Sequence, residues 1–166
     1  ASYPLARRTD FNLSLQANYD EKRLVDQTVA GETGNRRVTV SGLGLSGYLV
    51  GASLLPDGIT SFGLSLTSGE SDQRNPGALA SDVASREVQG HFSKLSYNLG
   101  YLQSLPEAWR LNATLRGQIA SKNLDSSERF SLGGPTGVRA YAIGAATGDE
   151  GFLLSDSVAR ALDDTK

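Results

Sequence analysis

Nothing constrains this chain more than a two-residue alternation of apolar and polar side chains that returns along most of its length. Leu111, Ala113, Leu115, Gly117 and Ile119 form one set, and Arg110, Asn112, Thr114, Arg116 and Gln118 the other. A helix turns about 100° per residue and would scatter each set around its circumference, whereas a strand sends successive side chains to opposite faces. Phe11, Leu13, Leu15, Ala17 and Tyr19 alternate in the same way with Asn12, Ser14, Gln16, Asn18 and Asp20. So do Phe62, Leu64 and Leu66 with Ser61, Gly63, Ser65 and Thr67, and Leu95, Tyr97, Leu99 and Tyr101 with Lys94, Ser96, Asn98 and Gly100. Residues 37–50 change phase: Val38 and Val40 share one parity, Leu43, Leu45 and Leu49 the other. A bulge near Gly42 would reconcile them. A last strand from about Phe152 shows no clear alternation and runs into the polar end Asp163-Asp164-Thr165-Lys166. The chain therefore reads as all-β and antiparallel, with about six strands.

The connections sharpen this. Leu55-Pro56-Asp57-Gly58 and Leu105-Pro106-Glu107-Ala108 predict tight turns. Between them lie long polar stretches at about 21–36, 68–86 and 123–151. Short turns at one end and long loops at the other are the asymmetry of a transmembrane β-barrel, and strands of about ten residues suit a tilted bilayer crossing. Alternation alone also fits a soluble β-sandwich with its apolar face turned inward. Trp109, beside the Pro106 turn, reads either as an interfacial belt anchor or as a packed turn aromatic.

Composition removes most other functions. With 166 residues and a formal net charge of -2, the chain is of single-domain size and has no basic face for nucleic acid. No Cys is present, so there is no disulfide, thiolate metal site or Cys nucleophile. His91 is the one His, with no second His or Cys to share a metal and no acidic orienter nearby for a triad. Asp149 and Glu150 are adjacent loop carboxylates, expected to be solvated rather than to bind a cation. Gly133 to Arg139 lacks the Lys-Ser/Thr pair of a phosphate loop. No cofactor, metal or catalytic residue is expected. No apolar run is long enough for a transmembrane helix, which leaves a barrel as the route across a membrane. The first residue is not Met and no signal peptide is present, as expected of a processed protein or an excised segment.

One stretch is more specific than any alternation. Glu128-Arg129-Phe130-Ser131-Leu132-Gly133-Gly134-Pro135-Thr136-Gly137-Val138-Arg139-Ala140-Tyr141 resembles the signature of the Omp85 superfamily at the tip of its sixth extracellular loop. The continuation Gly144-Ala145-Ala146-Thr147-Gly148-Asp149-Glu150-Gly151-Phe152 resembles the two-partner secretion branch, the TpsB transporters, more than the barrel-assembly factors. Residues 92–99 also look like a strand of that family. The usual Gly after the Arg is here Ala140.

The resemblance implies a partial outer-membrane barrel over residues 1–166, taken from a barrel of roughly sixteen strands. It implies that residues of about 123–151 fold back into the lumen, and that periplasmic POTRA domains lie outside this sequence. The implied function is a bacterial outer-membrane pore that exports a secreted partner protein, driven by that partner's folding outside. Outer-membrane lipid would surround it. The implied functional motif is Leu132, Gly133, Gly134, Gly137, Val138, Arg139, Ala140 and Tyr141, with Arg139 anchored by an Asp on a later strand. Arg129, placed outside the tip, is expected to matter little. Lys94, Arg110 and Arg116 fall on polar faces and are candidates to line the lumen. A barrel-assembly role and a soluble binding sandwich are the alternatives.

Overall fold

The computed structural model describes residues 1–29, 31–51, 57–133 and 146–160. In chain order their elements are β1 (Ser2–Arg7), β2 (Phe11–Thr28), β3 (Gly31–Val50), β4 (Ile59–Gln73), α1 (Pro76–Val83), β5 (Gly90–Ser104), β6 (Trp109–Ala120), β7 (Phe130–Ser131), β8 (Thr147–Gly148) and β9 (Gly151–Arg160). Seven of the strands form one antiparallel sheet in the order β1-β2-β3-β4-β5-β6-β9, and β7 pairs with β8. The sheet is a meander, broken only where the chain leaves β6 for the long loop and returns as β9.

The strand that the alternation missed is β1. It carries Pro4, which has no N–H to give a ladder, and its register against β2 shifts between Pro4 and Ala6. Elsewhere the register turns the alternation into two faces. One cross-strand row reads Gln16, Gly44, Ser65, Ser96 and Gln118; the row beside it on the opposite face reads Leu15, Leu45, Leu64, Tyr97, Gly117 and Phe152. In β9 the apolar parity is Phe152, Leu154 and Val158, interrupted by Asp156. Asp156 lies level with Thr60 and Tyr101, toward the short-turn end, where a carboxylate costs least.

Two expectations need correction. There is no bulge at Gly42: β3 pairs with β4 without interruption from Arg36 to Val50, and its one shift against β2 falls between Asp26 and Gln27. The phase change arises because Val38 and Val40 lie on the polar face, where they are buried with Phe92 and Leu124. Nor is 21–36 a loop. β2 continues to Thr28 and β3 begins at Gly31, so the polar stretch is mostly strand, and β4 likewise runs on to Gln73. Ladder bonds need only backbone, so pairing outlasts the apolar alternation once the strands leave the apolar band.

The connections at 8–10 and 105–108 share one end of the sheet, where the Gly51 N–H also donates to the Gly58 carbonyl at 2.9 Å. The connection at 105–108 is a tight hairpin with Glu107 and Ala108 at φ 58° and 63°, and Leu105 N–H donating to the Trp109 carbonyl at 2.8 Å. The expected Leu55-Pro56 turn and the end at 163–166 fall outside the described residues. At the opposite end lie the β2–β3 hairpin, the segment carrying α1, and the described part of the long loop. Asn75 caps α1 by accepting from the N–H groups of Gly77 and Ala78, with Pro76 in the first turn.

Which face the loop covers decides between barrel and sandwich. A sandwich buries its apolar face under a second layer. Here the described part of the long loop packs on the polar face, at Lys22, Lys94 and Gln118. The apolar face stays bare among the described residues, with Leu66 57% and Leu154 65% exposed. Polar inside and apolar outside is the wall of a membrane barrel.

Candidate functional site

The long loop leaves β6 at Ser121, and its first segment turns back across the polar face. Asp125 caps a single 3-10 turn, Ser126–Glu128, by accepting from Ser127 N–H at 2.9 Å. That turn presents Glu128 to the sheet. Lys22 of β2 reaches its carboxylate at 2.6 Å and Lys94 of β5 at 2.9 Å. On a flat sheet β2 and β5 would lie about 14 Å apart. Their lysines meet one carboxylate by leaning inward across β3 and β4, so this face is the concave one. Lys94 also donates to the Glu128 carbonyl at 2.9 Å. Gln118 Nε2 donates to the carbonyls of Glu128 and Asp149, at 3.2 and 3.0 Å, and so holds both limbs of the loop. Burial by itself would push the Glu128 carboxyl up; the hydrogen bonds from Lys22 and Lys94 outweigh it and hold the group below its usual range.

A second hub is Asp149. Arg86, from the segment before β5, donates to both its oxygens at 3.1 Å, and the Leu124 N–H donates to Oδ1 at 2.9 Å. Arg129 lies 3.3 Å from the same carboxylate and donates to the Thr147 carbonyl at 3.1 Å. Asp149 is thus no solvated carboxylate, because the Arg86 and Arg129 side chains and the Leu124 N–H converge on it. Arg129 is likewise part of the clasp that joins the descending and ascending limbs, with the β7–β8 pairing beside it. Arg36 ties Asp125 to Asp26 of the β2–β3 hairpin. Phe130 lies under the Arg116 guanidinium, 5.9 Å from carbon to ring centre.

The sequence-predicted residues divide accordingly. Leu132 donates its N–H to the Ala146 carbonyl at 2.9 Å, and Gly133 is buried beside it. Gly134, Gly137, Val138, Arg139, Ala140 and Tyr141 fall outside the described residues. Lys94 and Arg116 lie on the concave face beneath the loop, whereas Arg110 is exposed at the short-turn end of β6, opposite Ser104 and Ala159. Lys22, Gln118, Glu128, Arg86 and Asp149 are the loop-holding residues that sequence reasoning missed. A signal existed for the first two: Lys22 continues the polar parity of β2, and Gln118 belongs to that of β6. Glu128 and Asp149 stand at the two ends of the recognised motif. His91, exposed on the outer face, lies 3.9 Å from Glu70. Trp109 sits on the apolar face at the short-turn rim, with Arg160 5.9 Å above its ring.

A concave meander, bare and apolar outside and bonded to its own loop inside, is the wall of a membrane β-barrel. The chain matches the family of haemolysin secretion/activation proteins ShlB/FhaC/HecB across residues 1–165, and it belongs to that family. It is 31% identical over 153 residues to HuxB of Haemophilus influenzae, a heme/hemopexin transporter protein, an alignment covering 92% of this chain and 26% of HuxB. HuxB of strain 86-028NP matches at the same identity and coverage. Of solved structures, CdiB from Escherichia coli shares the fold with a TM-score of 0.77 at 20% identity, over 99% of this chain and 30% of CdiB. The chain therefore spans about a quarter of the length of these relatives. The two-partner secretion resemblance, the antiparallel barrel wall and the outer-membrane location hold.

Proposed function

We propose that the chain forms part of the wall of an outer-membrane pore through which a partner protein is exported, and that residues of about 123–151 are the plug folded into it. The observation that carries this reading is the loop's choice of face: it is bonded to the polar wall by Lys22, Lys94 and Gln118 and leaves the apolar wall bare. A loop held there occupies space that a passing chain needs, so its release is coupled to transport. Lys94, Arg116 and the motif around Arg139 act by electrostatics and shape, with no bond made or broken.

The test is secretion. Cells producing the full-length transporter with its partner should deliver the partner to the medium, and a strain lacking the transporter should retain it in the periplasm. Undiminished delivery without the transporter would refute the reading. A general fall in other outer-membrane barrels would identify barrel assembly instead.

A further inference from the structure

The outer face changes character along lines set by the strand register. Toward the long-loop end the apolar rows stop at a row of hydroxyl groups: Tyr19, Ser41, Ser68 and Ser93. The next row is Glu21, Thr39, Glu70 and His91, and the next is Arg23, Arg37 and Asp72. Arg74 follows directly on β4, its N–H donating to the Asn35 carbonyl at 2.7 Å. Four neighbouring strands thus turn from hydrocarbon to hydroxyl to charge at matched heights. These positions face away from the lumen, since Val38 and Val40, of the opposite parity, are the ones covered by the loop.

We infer that Arg23, Arg37 and Arg74 form a binding surface for the phosphorylated sugar headgroup of the outer-leaflet glycolipid. Continuity with the lipid-facing band selects this occupant, because whatever lies directly above the acyl chains meets these rows first. The chemistry agrees. A guanidinium offers two parallel donors that match a phosphate, and the hydroxyl row below suits sugar and ester oxygens. Arg37 and Arg74 are oriented but not consumed by neighbouring carboxylates: Arg37 pairs with Glu21 and Arg74 with Asp72, and both side chains remain about two-fifths exposed, at 42% and 41%. Arg23 is exposed and has no ion-pair partner among the described residues. Together with Thr39, Glu70 and Asp72, the paired arginines line an open groove of about 230 Å³ on this face.

The inference rests on the outer-membrane orientation and not on export, so it can fail while secretion persists. Purified full-length transporter is titrated in EDTA with diphosphorylated lipid A, dephosphorylated lipid A or phosphatidylglycerol, and bound lipid is counted by native mass spectrometry. The wild type should prefer diphosphorylated lipid A over both others. R23A/R37A/R74A should lose on the order of a hundredfold in that affinity, given roughly one surface charge contact per arginine. E70Q/D72N should bind more tightly, a gain that misfolding cannot produce. Equal binding of the phosphorylated and dephosphorylated forms by the wild type would overturn the inference. So would phosphatidylglycerol binding as tightly as lipid A, or an unchanged affinity in both variants.

Discussion

Replacing Glu128 by Gln keeps the shape of the loop root and removes its charge. Two lysines are then left facing a neutral amide on the concave wall. Lys94 is the more costly of them, because its side chain is 14% exposed and Glu128 only 5%, while Lys22 is 33% exposed and can turn to solvent. Breaking a buried pair costs about 3–5 kcal/mol and an exposed one under about 1 kcal/mol. With one arm mostly buried and the other largely wet, the expected loss is about 3 kcal/mol, or on the order of a hundredfold in the population of released loop. Hydrogen exchange of the full-length transporter in micelles reads this directly: peptides covering 121–133 should exchange faster in E128Q, while those of β3 and β4 should not change. The double variant Lys94→Met with Glu128→Leu, which leaves no uncompensated partner on β5, should recover most of the protection. If E128Q exchanged like the wild type, the carboxylate would not be the anchor. The pH dependence has a definite sign. A carboxyl held below its usual range contributes stability that is complete above the ordinary carboxylate pKa and lost as pH falls through the lowered value. Protection of 121–133 should therefore be flat from neutral pH down to that range and collapse only in stronger acid.

Other perturbations test other parts of the wall. Leu115→Arg, on the bare outer face, should cost about 2–4 kcal/mol and reduce heat-modifiable barrel on gels, whereas Thr114→Arg on the concave face should be tolerated; equal damage would reverse the assignment of faces. A Cβ on Gly117 would lie 2.5 Å from Tyr97 Cζ and 2.7 Å from the Gly151 carbonyl, so Gly117→Val should lower the melting temperature measured in detergent, by overpacking of about 1–3 kcal/mol. Arg139→Ala should abolish secretion at matched outer-membrane levels and Arg139→Lys impair it, since Lys lacks the planar fork; normal secretion from Arg139→Ala would remove that residue from the mechanism. Arg129→Ala, which the sequence alone marks as neutral, should instead loosen the loop by about 1 kcal/mol through loss of Asp149 and the Thr147 carbonyl, seen as faster exchange in 146–151.

How far the sequence was legible follows from what writes each feature into it. Where a strand crosses lipid, the solvent on each side imposes the two-residue period, so residues 11–20, 61–67, 94–101 and 110–119 could be assigned without coordinates. Beyond the band that pressure lapses, and the ladder continues through residues that read as loop: Glu21 to Thr28 in β2 and Ser68 to Gln73 in β4. The phase change at Val38 is the most instructive miss. In the sequence it reads as a backbone irregularity, since a strand in a two-sided sheet ordinarily keeps its apolar residues on one face. In fact the polar wall becomes apolar where the loop root lands: Val38 and Val40 are buried against Phe92 and Leu124. A local inversion of parity in an unbulged strand thus marks the footprint of a second layer on the lumen side. The partners of Glu128 and Asp149 could not be found in this way. An ion pair between residues 106 positions apart, such as Lys22 and Glu128, leaves no periodic trace, because each residue is only one more polar side chain on a polar face. What brings them together is the curl of the sheet, which depends on the register of all its strands and is written in no single segment.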